Sequence, residues 1–230
     1  MRRAPALALC AAALLACAGG AGPTAPDLVS LADLAPAVSL DMRYAGSENF
    51  VGVPIDGYEA PVCLLARPAA LALAAAQHDL EAEGLGLRVF DCYRPERAVA
   101  HFARWARDLG DERTKAAYYP RIEKSALFDL GYIALRSGHS RAATVDLTLV
   151  ERHGDGTLRE LDMGGPFDLF DPLSNTESPE VGEAQRANRL RLRAALEHRG
   201  FRNLPVEWWH YTLVAEPYPD TYFDVPVAAP

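Results

Sequence analysis

The chain has 230 residues, half of them apolar and 23% charged, enough for one well-buried core or at most two small ones, and it reads as one folded domain. Its formal charge is -8 with a pI near 5.3. Lys and Arg are scattered rather than clustered, which excludes the basic field that a nucleic-acid partner requires.

The N-terminus sets Arg2 and Arg3 before a largely apolar run from Ala4 to Ala16, with small residues around Cys17. That is the anatomy of an export signal, and the run is shorter than the roughly 20 apolar residues of a membrane-spanning helix. Leu14-Leu15-Ala16-Cys17 resembles a bacterial lipobox, in which the Cys is acylated and becomes the new N-terminus. The other reading is ordinary cleavage within Ala18-Gly19-Gly20-Ala21, with Cys17 discarded. Both send the protein out of the cytoplasm, to the periplasm or cell envelope, and only the first gives it a membrane contact, through an N-terminal lipid. The expected organisation is a signal at 1–17, a flexible tether rich in small residues at 18–26, and a folded domain at 27–230. Beyond the signal only Cys63 and Cys92 remain. An even pair in an oxidising compartment is expected to form a disulfide, here closing a loop of about 30 residues.

Between Leu28 and Gly57, short apolar stretches such as Val38-Ser39-Leu40 alternate with Asp, Asn, Gly and Pro, a pattern of short strands and turns. Tyr44 and Tyr58 in this region suit either the core or a pocket wall. Residues 68–82 are rich in Ala and Leu and free of internal Gly and Pro, predicting a helix that ends at Gly84. Leu87-Arg88-Val89-Phe90 reads as a strand, and Pro95 opens a helix through Ala106, so Arg94 stands at a strand-to-helix corner. Residues 145–150 alternate apolar and polar, 183–198 form an amphipathic helix, and the aromatic, β-branched stretch 207–214 reads as a strand. Helices interleave with strands without a βαβ period or an internal repeat. The expected class is α+β, a small antiparallel sheet flanked by helices.

Two segments carry chemistry. In Ser137-Gly138-His139-Ser140-Arg141-Ala142-Ala143-Thr144-Val145-Asp146, a His in a Gly-containing turn precedes an Asp on a strand. In Glu207-Trp208-Trp209-His210-Tyr211, a second His follows a carboxylate by three residues. A catalytic zinc takes three protein ligands and keeps one position open for water, and two imidazoles with a carboxylate suit it. His139, Asp146 and His210 meet that need. Glu207, a carboxylate left outside the ligand set, is the candidate general base. Arg94, in Asp91-Cys92-Tyr93-Arg94-Pro95, is the candidate cation for a tetrahedral intermediate. Taken singly, each piece has an ordinary reading: a packed or solvated His, a surface Arg, a Trp pair in the core. Ser137 reads as a turn residue or a substrate hydrogen-bond partner, and His78, His101, His153 and His198 as structural or solvent-exposed.

Taken together and in order, the Ser137–Asp146 segment with Leu147-Thr148-Leu149 after it, the Tyr93-Arg94-Pro95 corner and Glu207-Trp208-Trp209-His210-Tyr211 resemble the D-alanyl-D-alanine dipeptidases of the vancomycin-resistance type. These are zinc enzymes related to D-alanyl-D-alanine carboxypeptidases and Hedgehog domains. The resemblance runs from about Leu28, through Arg43-Tyr44-Ala45 and Asn49-Phe50, to Glu216-Pro217-Tyr218. It implies a Hedgehog-like fold, one zinc per chain on His139, Asp146 and His210, Glu207 as base and Arg94 as stabilising cation. The substrate it implies is a small D-amino-acid dipeptide, D-alanyl-D-alanine. Met163-Gly164-Gly165-Pro166-Phe167-Asp168 looks like the family's substrate loop, which would set Asp168 against the free ammonium of the dipeptide. A buried carboxylate in that role is satisfied by a dipeptide and left unpaired by a longer, acylated chain. Two departures stand out: Ala142 occupies a position that usually holds Gly, and the stretch from Leu169 to Glu177 diverges, which bears on the shape of the entrance. The competing readings are a zinc D,D-carboxypeptidase or endopeptidase acting on peptidoglycan stem peptides, and a non-catalytic cell-wall binding module.

Overall fold

The computed structural model of the protein describes residues 25–229; the expected signal at 1–17, Cys17 and the tether as far as residue 24 lie outside the described residues. Strand β1 (Leu28–Ser30) leads straight into a one-turn helix, α1 (Leu31–Leu34), and β2 (Ser39–Leu40) precedes a 3-10 turn at Arg43–Ala45. The segment expected as strands and turns therefore also holds helical turns; α1 completely buries Leu31, whose N–H donates to the carbonyl of Cys63. Strand β3 (Leu64–Ala66) pairs antiparallel with β1 and passes directly into α2 (Arg67–Glu81). Pro68 sits in the first turn of α2, where a missing N–H costs nothing, and Ala69, Leu73, Ala76 and Leu80 recur at helical spacing on its buried face.

Strand β4 (Leu85–Asp91) is followed by α3 (Glu96–Arg107), with Pro95 capping that helix rather than lying within it, and by the short α4 (Lys115–Tyr118). Then come β5 (Thr144–Arg152), β6 (Leu158–Glu160), α5 (Glu183–His198), β7 (Phe201–Asn203) and β8 (His210–Leu213). The class is mixed α+β, with five α-helices among the described residues. None of these helices is long and apolar enough to cross a membrane.

The main sheet has the order β2-β4-β5-β8-β7, with β6 added to the far end of β5. It is not purely antiparallel: β2 and β4 run parallel. The chain between them travels through β3 and α2, the kind of long crossover that parallel pairing requires. Strand β5 is central, flanked by β4 on one edge and by β8 and β6 on the other, and is buried from Thr144 to Val150. Helices α2 and α5 pack on each other and against the sheet, and Leu73, Leu192 and Leu196 are fully buried in the core, each worth roughly 1.5–3 kcal/mol in apolar burial.

The expected strand at 207–214 is shorter in the structure, running only from His210 to Leu213. The preceding residues fold as a turn because their backbone groups bond elsewhere: Glu207 N–H donates to the Leu204 carbonyl at 2.9 Å and Trp208 N–H to the Ser174 carbonyl at 3.0 Å. That turn lifts Glu207 out of the ladder while His210 stays in it.

Candidate active site

The sheet register assembles much of the site. Asp91 on β4 is paired with Asp146 on β5, and Asp146 with His210 on β8. Residues directly opposite one another on neighbouring strands project to the same side, so the ladder alone brings these three side chains into one row. His139 arrives from the 3-10 turn Gly138–Arg141, which ends just before β5. Ser137 caps that turn, its Oγ accepting from the His139 N–H at 3.3 Å. Ala142 closes the turn at φ 64°, in the left-handed region, where a side chain costs about 1–2 kcal/mol that glycine avoids. The departure from Gly at this position leaves the turn intact and charges it that strain.

His139 Nε2 stands 3.3 Å from Asp146 Oδ2 and 3.3 Å from His210 Nδ1, and His210 Nδ1 stands 3.0 Å from Asp146 Oδ1. A tetrahedral zinc with bonds of about 2.0–2.1 Å sets its ligand atoms about 3.3 Å apart; the two imidazole nitrogens stand at that separation, each faces a different oxygen of Asp146, and one donor atom from each residue lies within 4.8 Å of the other two. Asp146 Oδ1 is buried and accepts no hydrogen bond, an orphan that a cation would satisfy. His139 donates its Nδ1–H to the Cys92 carbonyl at 2.7 Å, which fixes the tautomer and leaves the Nε2 lone pair free. Burial pushes the Asp146 carboxyl up, but the His139 and His210 imidazoles outweigh it and hold the group below the ordinary carboxylate range. Two imidazoles and an ionised carboxylate converging in this way fit a divalent metal.

Around this triangle the remaining candidates share a cavity of about 210 Å³, lined by Tyr44, Arg94, Asp146, Asp168, Glu207 and His210 among others. That is below the roughly 300–1,000 Å³ of ordinary small-molecule sites. Glu207 Oε2 lies 3.4 Å from His210 Nδ1, and burial pushes its carboxyl up. Arg94 donates from Nε to Asp91 Oδ2 at 2.9 Å, its Nη2 stands 2.8 Å from the same oxygen as an ion pair, and its guanidinium lies 5.1 Å from the ring centres of both Tyr44 and Phe102. Its Nη2 reaches Asp146 Oδ2 at 3.5 Å. Asp91, fully buried, also accepts from Tyr58 Oη at 2.6 Å. Asp91 is the neighbour of the site not anticipated from the sequence, where the one available signal is an Asp three residues before Arg94 at the end of a strand; Tyr58, which suits either the core or a pocket wall, is buried beneath the site against Asp91 and is not among the cavity-lining residues. Tyr44, left between core and pocket, is a pocket residue.

Asp168 is buried at φ 62°, held by Tyr44 Oη at 2.9 and 3.1 Å from its two oxygens. Burial, with the Asp146 charge behind it, pushes this carboxyl well above its ordinary range. Gly164, at the start of the same loop, has φ 78° and packs where an added Cβ would meet Val181 at 2.7 Å, so only glycine fits. None of His78, His101, His153 and His198 lines the cavity. Cys63 and Cys92 are joined through their sulfurs, tying the residue before β3 to the residue after β4. The carbonyl of Cys92 is the one that holds His139.

A family model described as D-ala-D-ala dipeptidase matches residues 24–228. A Streptomyces coelicolor protein named D-alanyl-D-alanine dipeptidase is 46% identical over 203 residues, 88% of this chain and 98% of that protein. An Enterococcus faecalis protein of the same name is 45% identical over 191 residues, 83% of this chain and 93% of its own. An Escherichia coli protein, again so named, is 33% identical over 187 residues, 81% and 84% of the two chains. With the match spanning nearly all of the described chain and the relatives aligned over most of both lengths, the chain belongs to the D-ala-D-ala dipeptidase family.

Proposed function

We propose that the protein hydrolyses free D-alanyl-D-alanine to two D-alanine molecules, using one zinc ion held by His139, Asp146 and His210. The observation that carries this reading is the pairing, in one small cavity, of a His-Asp-His donor set whose atoms lie within 4.8 Å of one another with a buried carboxyl group, Asp168, that forms no ion pair among the described residues. Family membership and the printed names of the relatives support the substrate. When bound, zinc supplies Lewis acidity, polarising the scissile carbonyl and easing deprotonation of the attacking water.

The chain's own residues do the rest. Asp168 pairs with the substrate ammonium, and Tyr44 fixes the direction in which that carboxylate faces. Glu207 takes the proton of the attacking water and returns it to the departing amino group, so its own protonation is restored at the end of each turnover. Arg94, held in advance by Asp91 and by the Tyr44 and Phe102 rings, meets the negative charge that develops on the former carbonyl oxygen. Because Arg94 is preorganised, little reorganisation is needed when that charge appears. Ser137, whose Oγ lies 3.5 Å from Arg94 Nη1, is a further hydrogen-bond partner for substrate.

Residues 27–230 act in this reading as a single catalytic domain of the D,D-peptidase and Hedgehog type. The protein is exported to the periplasm or cell envelope, with Cys17 as its lipid-bearing residue. The disulfide within the domain supports an oxidising destination. Intact-mass analysis of membrane-extracted protein tests the lipid: a mass without acyl chains replaces the anchor with simple secretion.

The substrate assignment is tested by comparing the free dipeptide with its N-acetyl derivative and with peptidoglycan stem peptides. Cleavage of the free dipeptide alone is expected. Preference for the acetylated form or the stem peptides would turn the assignment towards a carboxypeptidase or endopeptidase, and cleavage of none, with zinc present in the protein, towards a binding module.

A further inference from the structure

We propose that Arg136 is the subsite for the free α-carboxylate of the substrate, so that the cavity reads both ends of a zwitterionic dipeptide. This inference rests on the dipeptidase reading and extends it. A free dipeptide carries an ammonium at one end and a carboxylate at the other. The cavity answers the ammonium with Asp168, but its other acidic groups, Asp146 and Glu207, would repel the carboxylate unless a cation receives it. Two arginines are among the residues that line the cavity, Arg94 and Arg136.

Arg94 is already committed. It is ion-paired with Asp91 at 2.8 Å and lies 3.5 Å from Asp146, and the charge that develops during reaction falls to it. Arg136 is in a different state. Its guanidinium lies 4.9 Å from the ring centre of Tyr222, and among the described residues no carboxylate comes within salt-bridge distance and no hydrogen bond is made by its side chain. An aromatic face steers a guanidinium without neutralising it or occupying its N–H donors. The contrast with Arg141 is direct. That residue lies 5.5 Å from the same ring, yet its N–H groups are taken by Glu216 at 2.6 and 2.9 Å. Tyr222 thus carries two arginines, one satisfied internally and one, a residue that lines the cavity, whose donor fork is unused among the described residues. Arg136 also directly precedes Ser137, whose hydroxyl lines the same cavity and offers a neighbouring donor. A planar guanidinium beside a hydroxyl is suited to a carboxylate.

The consequence is an enzyme that requires a free C-terminus as well as a free N-terminus. The test uses the full chain and two substrates, D-alanyl-D-alanine and its C-terminal amide, with D-alanine release giving kcat and KM separately. Wild type, Arg136→Ala and Arg136→Lys are compared, with thermal melting as a control for folding; Arg136 is exposed, so the melts should coincide. For Arg136→Ala the expected result is a KM for the free dipeptide raised about tenfold with kcat within about twofold, the signature of lost substrate binding without lost chemistry. The KM for the amide should not move, and Arg136→Lys should recover part of the loss. Equal effects of Arg136→Ala on acid and amide, or no effect on either, would overturn the proposal while leaving the dipeptidase reading standing, as would a wild type that cleaves the amide as readily as the acid. A wild type that cleaves neither substrate would overturn both.

Discussion

Tyr44 donates its phenolic hydrogen to Asp168, lying 2.9 Å from one carboxylate oxygen and 3.1 Å from the other, and both residues are buried. The contact spans 124 positions of sequence and joins the first 3-10 turn to the loop after β6. Together they form a polar end to the cavity, which the substrate ammonium completes in the proposed reading. In that reading Asp168 is placed for ligand binding at a cost to stability, since burial disfavours its charged form.

The pH dependence of stability follows from that placement. Burial first, and Asp146 second, raise the Asp168 pKa above its unfolded value. Below the ordinary carboxylate pKa of about 3.9 the group is neutral in both states and adds no penalty. As pH rises towards and through the raised folded pKa, the unfolded chain ionises more readily than the folded one and stability is lost. Asp168→Asn should therefore raise the melting temperature near neutral pH, with a gain that shrinks towards zero in acid, while KM for the free dipeptide rises. Melting curves across pH read the first effect and steady-state kinetics the second.

Glu207 lies beside His210 without a place in the three-donor set. Glu207→Gln keeps its shape and removes its basicity, so kcat should fall by about 10²–10⁴, with the bound zinc content unchanged by elemental analysis. Loss of metal alongside activity would instead make Glu207 a ligand.

Arg94 and Asp91 form a buried ion pair in which two N–H groups of the guanidinium meet one carboxylate oxygen. Lys offers a single point charge on a flexible stem and cannot copy the fork. Arg94→Lys should lower kcat by about 10²–10³, in line with loss of one preorganised oxyanion donor, and change KM little. Asp91→Ala should be harsher on the fold, costing about 3–5 kcal/mol because the guanidinium is left buried without its partner; chemical denaturation measures it.

Cys63 and Cys92 are separated by 29 positions. On the chain-entropy account a crosslink of that span stabilises by about 3–4 kcal/mol. The double substitution to Ser should lower stability by that amount in denaturant titrations. It should also weaken zinc retention against a competing chelator, since the Cys92 carbonyl orients His139. A stability loss with unchanged zinc affinity would confine the bridge to a structural role.

Much of this was legible in the sequence where a signal is local. The helix expected at 183–198 is α5 residue for residue, because its apolar spacing is regular and no Gly or Pro interrupts it. Strand β5 declared itself by alternation, and extends two residues beyond the expected end as the hairpin to β6 continues the ladder. His139, Asp146 and His210 were recognisable because each sits inside a short, ordered motif, and the structure brings their ligand atoms together. Relations between distant segments were not legible. The parallel pairing of β2 with β4 depends on where α2 packs, and Tyr58 reaches Asp91 across 33 positions with nothing in either neighbourhood to announce it. Trp208 and Trp209 carry strand-like side chains, yet Trp208 N–H bonds to Ser174, a partner that no local pattern names.

The most direct test of the central claim is D-alanine release from D-alanyl-D-alanine by the purified protein as isolated, after removal of metal by a chelator, and after return of one equivalent of zinc. Three residues of this geometry acting as the sole metal site predict activity in the first state, its loss in the second and its recovery in the third. Release of D-alanine that persists undiminished in verified metal-free protein would contradict the account.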